Sequence, residues 1–385
     1  MTTSDADVKR AELPSGPLEH YVVEDAYTAW QKSEGVRVIE DFAFDNLSTI
    51  ELSPWERKGG AGAIINIPNS QMPNDAQIVE IVPGGVSEPE HHMYEEMVYI
   101  LNGRGATSVW LDEKHKQTFE WHEGSLFAIP LNASYQHFNA SGTEPARYIA
   151  VTNAPPMMRL FRNQEFIFDS PVGFKDRFGG EADYFSGGGT LYVRRVWESN
   201  FIPNAVDMPL YDFKERGAGN INVFLEMAGN NTKSHISEFP IGTYKKAHQH
   251  GPGAHLLILS GEGFSVLWQE GEEYRKANWS KGGMVIVPSD DCWHQHFNTG
   301  RTRARYLALR QGNMGLSAPT NNSLAVRPNQ AVWEGGGAQI EYEDEDPRIH
   351  EMFEADLART GTPCRMKAFS PACTGEVGPT NERDT

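Results

Sequence analysis

The chain repeats itself at a fixed spacing, and that constrains its fold more than any other feature. His92-Met-Tyr-Glu-Glu-Met-Val-Tyr-Ile-Leu-Asn-Gly103-Arg-Gly has its counterpart at His250-Gly-Pro-Gly-Ala-His-Leu-Leu-Ile-Leu-Ser-Gly261-Glu-Gly, and 250 − 92 and 261 − 103 both give 158. Trp110 and Trp268, Pro130 and Pro288, and Gly59 and Gly217 keep this offset. Gln136-His-Phe-Asn139 returns as Gln295-His-Phe-Asn298, one residue later, and Ala146-Arg-Tyr148 and Ala304-Arg-Tyr306 restore 158. A register held so long means duplication of one structural unit. The units are placed at 41–154 and 200–313, after an N-terminal extension of 1–40, with a connector of 155–199 between them and a C-terminal extension of 314–385.

Each unit is built of short apolar runs such as Val98-Tyr-Ile-Leu, Leu126-Phe-Ala-Ile, Leu256-Leu-Ile-Leu and Met284-Val-Ile-Val, punctuated by Gly, Asn, Pro and Asp. Many short strands closing into a sandwich or barrel explain that pattern. The connector segment Met157–Phe166 is expected to form a short helix. A second helix is expected over Pro347–Arg359, with Pro at its start and Gly361 just past its end. The last two dozen residues are expected to fray.

A net charge of −18 gives no electrostatic support for binding nucleic acid or an anionic membrane. Cys292, Cys364 and Cys373 are too few and too scattered for a disulfide framework, and suit a reducing compartment. The N-terminus lacks a basic segment followed by an apolar core, and no apolar run is long enough to span a bilayer. A cytoplasmic protein is expected.

The chemistry is concentrated in the second unit. In His248-Gln-His250 the two imidazoles lie two residues apart, so on a strand they enter the barrel from one face. Cys292-Trp-His294-Gln-His296-Phe-Asn298 brings two more by the same alternation. Four of the thirteen histidines then converge on one cavity. Neutral imidazoles with open positions around an ion suit Fe(II), with Mn, Ni, Cu or Zn as alternatives.

These residues resemble the two motifs of the cupin superfamily: Gly242, His248, His250, Ala254 and Gly261 fall on the first, and Gly282, Pro288, His294 and Asn298 on the second. The resemblance implies an all-β chain of two tandem cupin (double-stranded β-helix, jelly-roll) barrels with short peripheral helices. Ala254 stands where most cupins place a glutamate ligand. Three neutral histidines leave the ion's charge uncompensated, which favours a small anionic chelating substrate. In this the second unit is similar to the three-His gentisate and salicylate dioxygenases, ring-cleaving bicupins. That similarity implies His248, His250 and His294 as metal ligands and His296 as an acid–base group and substrate contact. The family's substrate arginine falls at Leu256 here, and its metal site lies in the first barrel. Arg310, at the position of Thr152, is the candidate clamp for a substrate carboxylate. Lys245 and Lys246 either steer an anion to the mouth or stand in solvent, and His255 is expected to point away from the cavity.

In the first unit Glu90, His92, Glu96 and Tyr135 occupy the positions of His248, His250, Ala254 and His294. A degenerate, structural barrel is expected there. The alternative is a second metal site from His92, Glu96 and His137, with or without Glu90. His91 is expected to face outward.

The expected function is a non-haem Fe(II) dioxygenase that cleaves a small aromatic or enol-type acid with O2. The alternatives are a metal-dependent lyase, hydrolase or isomerase of a small oxo or hydroxy acid, and a non-catalytic binding protein. A homo-oligomer is expected from the apolar faces of the connector and of Ile349–Leu357, which are covered either by their own barrels or by a second copy.

Overall fold

The computed structural model describes residues 24–68, 72–192, 195–250, 253–288, 292–311, 337–373 and 375, with the backbone alone for Glu113, His250, Gly337 and Ala338. Two β-barrels stand in tandem, each a large sheet facing a smaller one. In the first, the large sheet runs in the order Arg37–Glu40, Gly60–Asn66, Asp75–Ile81, Ala146–Thr152, Glu96–Asn102, Leu126–Ile129 and Phe201–Ile202. Its small sheet is Ser134–Asn139, Arg104–Trp110 and Gln117–His122. The second barrel repeats the plan with Val196–Glu198, Ile221–Glu226, Thr232–Phe239, Ala304–Gln311, Ala254–Ser260, Met284–Val287 and Ala43–Phe44. Its small sheet is Arg275–Ser280, Glu262–Trp268, Trp293–Asn298, His248–His250 and Gly337–Gln339.

The repeat reaches further than the motifs. Arg37–Glu40 pairs in parallel with Gly60–Asn66, and Val196–Glu198 does the same with Ile221–Glu226, so stretches expected to be extension and connector belong to the sheets. The barrels also exchange strands. Ala43–Phe44 pairs with Met284–Val285 of the second barrel, and Phe201–Ile202 with Leu126–Phe127 of the first.

The two large sheets pack against each other. Ile65, Ile78, Met97, Ile149 and Val151 of one meet Val223, Leu225, Ile236, Leu257, Leu307 and Leu309 of the other in a single apolar core. Strands of these sheets are therefore buried on both faces, one towards a barrel interior and one towards the partner barrel. This is why Ala146–Thr152 is buried at every position and why the sequence shows continuous apolar runs there. Gln117–His122, in a small sheet, instead alternates exposed and buried residues. His255 takes part in the inter-barrel packing, with Nδ1 2.8 Å from the Asn74 amide nitrogen, and so points away from the cavity as expected.

Gly261 shows why the motif ends on glycine. Its φ is 84°, and a Cβ there would lie 2.7 Å from the Ala304 Cα. Gly103 stands in the same relation to Ala146 at 2.8 Å.

In place of one connector helix there are two, Ala154–Phe161 and Gln164–Phe168. The C-terminal helix runs over Pro347–Thr360, capped by the Asp346 side chain at its start and by left-handed Gly361 at its end. Its Ile349, Phe353 and Leu357 pack on Tyr244, Phe264 and Phe297 of the second barrel, so its own chain covers that face. Residues after the helix were expected to fray, yet Met366 is fully buried and Cys373 nearly so. The rest of the tail lies outside the described residues. Among the described residues, no helix is long and apolar enough to cross a membrane.

Candidate metal centre

His248–His250 and Trp293–Asn298 run antiparallel with His248 directly opposite His294, so both imidazoles project from one face of the small sheet. The ring centroids are 4.1 Å apart and both side chains are buried. In each ring Nδ1 lies 3.0 Å from the carbonyl oxygen two residues earlier, Lys246 for His248 and Cys292 for His294. A carbonyl only accepts, so Nδ1 carries the proton and Nε2 the lone pair, the tautomer a metal-ligating imidazole needs. Burial holds His294 near 4, against the bond to Cys292 and with help from Arg216, Lys245 and Arg310, so the ring is neutral at pH 7. His250 belongs to the same strand, its backbone opposite Gly337, but its side chain lies outside the described residues.

His296 shares this cavity, its ring 5.7 Å from His294 and 6.2 Å from His248. Its Nδ1 is 2.7 Å from the Ser265 hydroxyl, which also accepts the Trp279 indole N–H at 3.0 Å. The first barrel holds a matching set. There His137 Nδ1 is 2.7 Å from the Thr107 hydroxyl, which accepts Trp121 at 2.9 Å. The clamp on His296 is thus common to both barrels, whereas His248 and His294 are particular to the second.

Ala254 lies directly opposite Arg310. The same pair of strand positions in the first barrel holds Glu96 opposite Thr152. The Arg310 guanidinium makes no hydrogen bond or ion pair among the described residues, and burial lowers its pKa. The pair of positions that carries a carboxylate in the first barrel thus carries a guanidinium in the second, contributed from the opposite strand.

More cations surround the site. Lys245, which could have stood in solvent, is 2% exposed, and its Nζ donates to Ser237 Oγ and Tyr306 Oη, each at 2.6 Å. Burial, with Arg216 nearby, pulls its pKa well below the ordinary lysine value. Tyr306 in turn packs against His296 at 5.2 Å and against His235 at 5.8 Å. His235 is held neutral by burial and by Lys245, Arg310 and Arg216. The sequence reading missed His235 and Arg216, and the repeat holds the signal: they replace Gln77 and Lys58 at the same offset. Lys246 instead turns to an ion pair with Glu341.

The first barrel has resolved the same geometry differently. His92 Nε2 is 2.9 Å from Glu96 and 3.2 Å from the Tyr135 hydroxyl, which donates to Glu96 at 2.8 Å. A fully buried lysine, Lys58, ion-pairs with Glu90 at 3.0 Å. Burial would raise Glu96, but Lys58 and His92 bring it down to about 2. An ammonium group thus supplies the positive charge that this interior's carboxylates require. His137 Nε2 and Glu96 Oε1 have no hydrogen-bond partner among the described residues. His91 turns aside to Asn132 at 3.1 Å, outside this cluster.

Residues 77–152, within the first barrel, match the family model described as Cupin domain. Solved structures of Bacillus subtilis oxalate decarboxylase are similar at 15% identity. The enzyme at pH 4.6 gives a TM-score of 0.48 over 71% of this chain and 77% of that one. Two of its single-site mutants give 0.48 and 0.49 over 71% and 78%. No curated protein matches the chain. With the strand registers above, the fold is two tandem cupin barrels.

Proposed function

We propose that the second barrel is a metal-dependent active site for a small anionic chelating acid, and that the chain is a non-haem Fe(II) dioxygenase cleaving an aromatic or enol-type acid with O2. The observation that carries this reading is the Ala254–Arg310 pair. A site that swaps its ligand carboxylate for a guanidinium is built to receive a carboxylate from the substrate. His248, His250 and His294 would hold the ion. Bound there, Fe(II) would supply the electron transfer between substrate and dioxygen that a protein side chain cannot.

The chain's own residues do the rest. Arg310 binds and orients the substrate carboxylate, and Arg216 adds positive charge on the same side. The hydrogen-bonded Lys245 and Tyr306 brace the cavity wall behind His296. The Ser265 hydroxyl fixes the His296 ring at Nδ1, so that Nε2 is the atom at which a proton is held or moved.

A redox-neutral reaction, such as that of a metal-dependent lyase, is the second reading. The contiguous Lys245, Tyr306 and His296 favour it, since they supply proton-transfer groups and nothing specific to oxygen. Fe(II)-loaded protein screened against aromatic and 2-oxo acids in an oxygen electrode separates the two. One O2 consumed per substrate supports the dioxygenase, and product formed at an unchanged rate without O2 replaces it with the lyase. No turnover of any acid, with the ion bound, overturns both.

A further inference from the structure

We propose that His350, Glu354, Cys364 and Cys373 form a second, thiolate-containing metal site in the reduced chain, one that takes a zinc-type divalent cation and fastens the C-terminal segment to the second barrel. One ligand atom from each of the four residues lies within 4.8 Å of every other. His350 and Glu354 are one turn apart on the helix Pro347–Thr360, with Nε2 and Oε1 3.1 Å from each other. The loop that follows brings back Cys364 and Cys373. His350 and Cys373 are buried, and Glu354 closes the cluster on the solvent side. Two thiolates, an imidazole and a carboxylate make a closed four-ligand set of the kind that suits structural zinc.

The imidazole is already oriented. His350 Nδ1 is 3.1 Å from the Tyr244 hydroxyl, and that hydroxyl donates to Glu345 at 2.8 Å. Its oxygen is therefore the acceptor for a proton on His350 Nδ1, which leaves the lone pair on Nε2, facing Glu354.

In this structure the two sulfurs are joined as a disulfide, although the scattered cysteines had suggested no pairing. The two Cα atoms stand 7.0 Å apart, just outside the roughly 4.4–6.8 Å usual for a disulfide. An ion between two thiolates spans that distance readily. A dithiol reductant would give up two electrons and two protons to open the bond, closing to its own disulfide. The divalent ion would then displace the two thiol protons.

The location gives the site a role. The segment it fastens contributes Gly337–Gln339, which pairs with the strand carrying His248 and His250. Glu345 accepts from Gln295, the residue between His294 and His296, at 2.6 Å. Fastening the tail would brace both histidine strands from behind.

The test uses the full chain, reduced, freed of metal and titrated with Co(II) alone. The expected result is near-ultraviolet thiolate-to-metal absorption with the visible bands of a tetrahedral ion, saturating at about one equivalent in His294→Ala, where the barrel site is removed. It should be displaced by Zn(II), retained in His294→Ala and lost in Cys373→Ser. Glu354→Gln, at an exposed position, should weaken Co(II) binding by at least about tenfold. Should Cys373→Ser fail to fold, alkylation of the reduced wild type decides. Zinc should slow modification of Cys364 and Cys373 selectively, as read by peptide mass. Absence of the thiolate band in the folded, reduced chain, its survival in folded Cys373→Ser, or alkylation equal with and without zinc would overturn the site.

Discussion

Ala254 and Arg310 face each other across two antiparallel strands, where the first barrel sets Glu96 against Thr152. Between the copies the pair's formal charge goes from minus one to plus one. The neighbouring cations change in the same sense. Lys58 is neutralised by carboxylates in the first barrel, while Arg216, Lys245 and Arg310 act together on the histidines of the second. The first interior balances its own charge, and the second awaits an anion.

Arg310→Met should therefore raise KM for a carboxylate substrate by roughly 10- to 100-fold, the worth of a hydrogen bond to a charged group, and leave bound metal unchanged. Steady-state kinetics with metal analysis checks this. A KM within twofold of wild type would remove Arg310 from the substrate site.

The clamp on His296 has a built-in control. Ser265→Ala should lower kcat by about tenfold through a misplaced general acid–base, with metal content intact. Thr107→Ala breaks the same contact in the first barrel and should leave kcat unchanged. Each variant strips a buried indole N–H of its acceptor, so each should lose about 1–3 kcal/mol in urea unfolding.

Much of this was legible in the sequence, and the reasons for the rest are physical. The fixed offset and the two-residue alternation placed His248, His294 and His296 on one wall, because both depend only on local geometry. The exchanged strands Ala43–Phe44 and Phe201–Ile202 are too short to carry a period. Lys245 was read as potentially solvated because burial is decided by Ser237 and Tyr306, the latter 61 residues away. Lys58 was overlooked for the same reason, since Glu90 and Tyr135 meet it only in the folded barrel. Cys364 and Cys373 looked scattered because their pairing is made by the fold of the segment after the C-terminal helix, which the cysteine spacing does not reveal.

Lys58→Met should cost about 3–5 kcal/mol, because it leaves Glu90 and Glu96 buried without their cation. Adding Glu90→Gln should recover part of that loss. Urea unfolding of the two single variants and the double variant closes the cycle, and strict additivity would contradict the pairing.

Glu345 predicts a pH dependence. Burial, with Asp346 adding to it and the bonds from Gln295 and Tyr244 opposing, raises its pKa to about 7. The folded state then holds a proton that the unfolded chain has already released. Stability from this group is fully present below the unfolded value near 4.5 and is lost as pH rises to about 7, by roughly 2–3 kcal/mol. Melting curves from pH 5 to 8 should show this decline in wild type and a flatter profile in Glu345→Gln. Identical profiles would contradict the raised pKa.

The most direct test of the second barrel as a metal centre is iron content per folded chain after anaerobic Fe(II) loading with the Cys364–Cys373 disulfide intact, for wild type and His294→Ala. The account predicts about one iron in wild type and essentially none in the variant. Iron retained in His294→Ala, or none in loaded wild type, would contradict it.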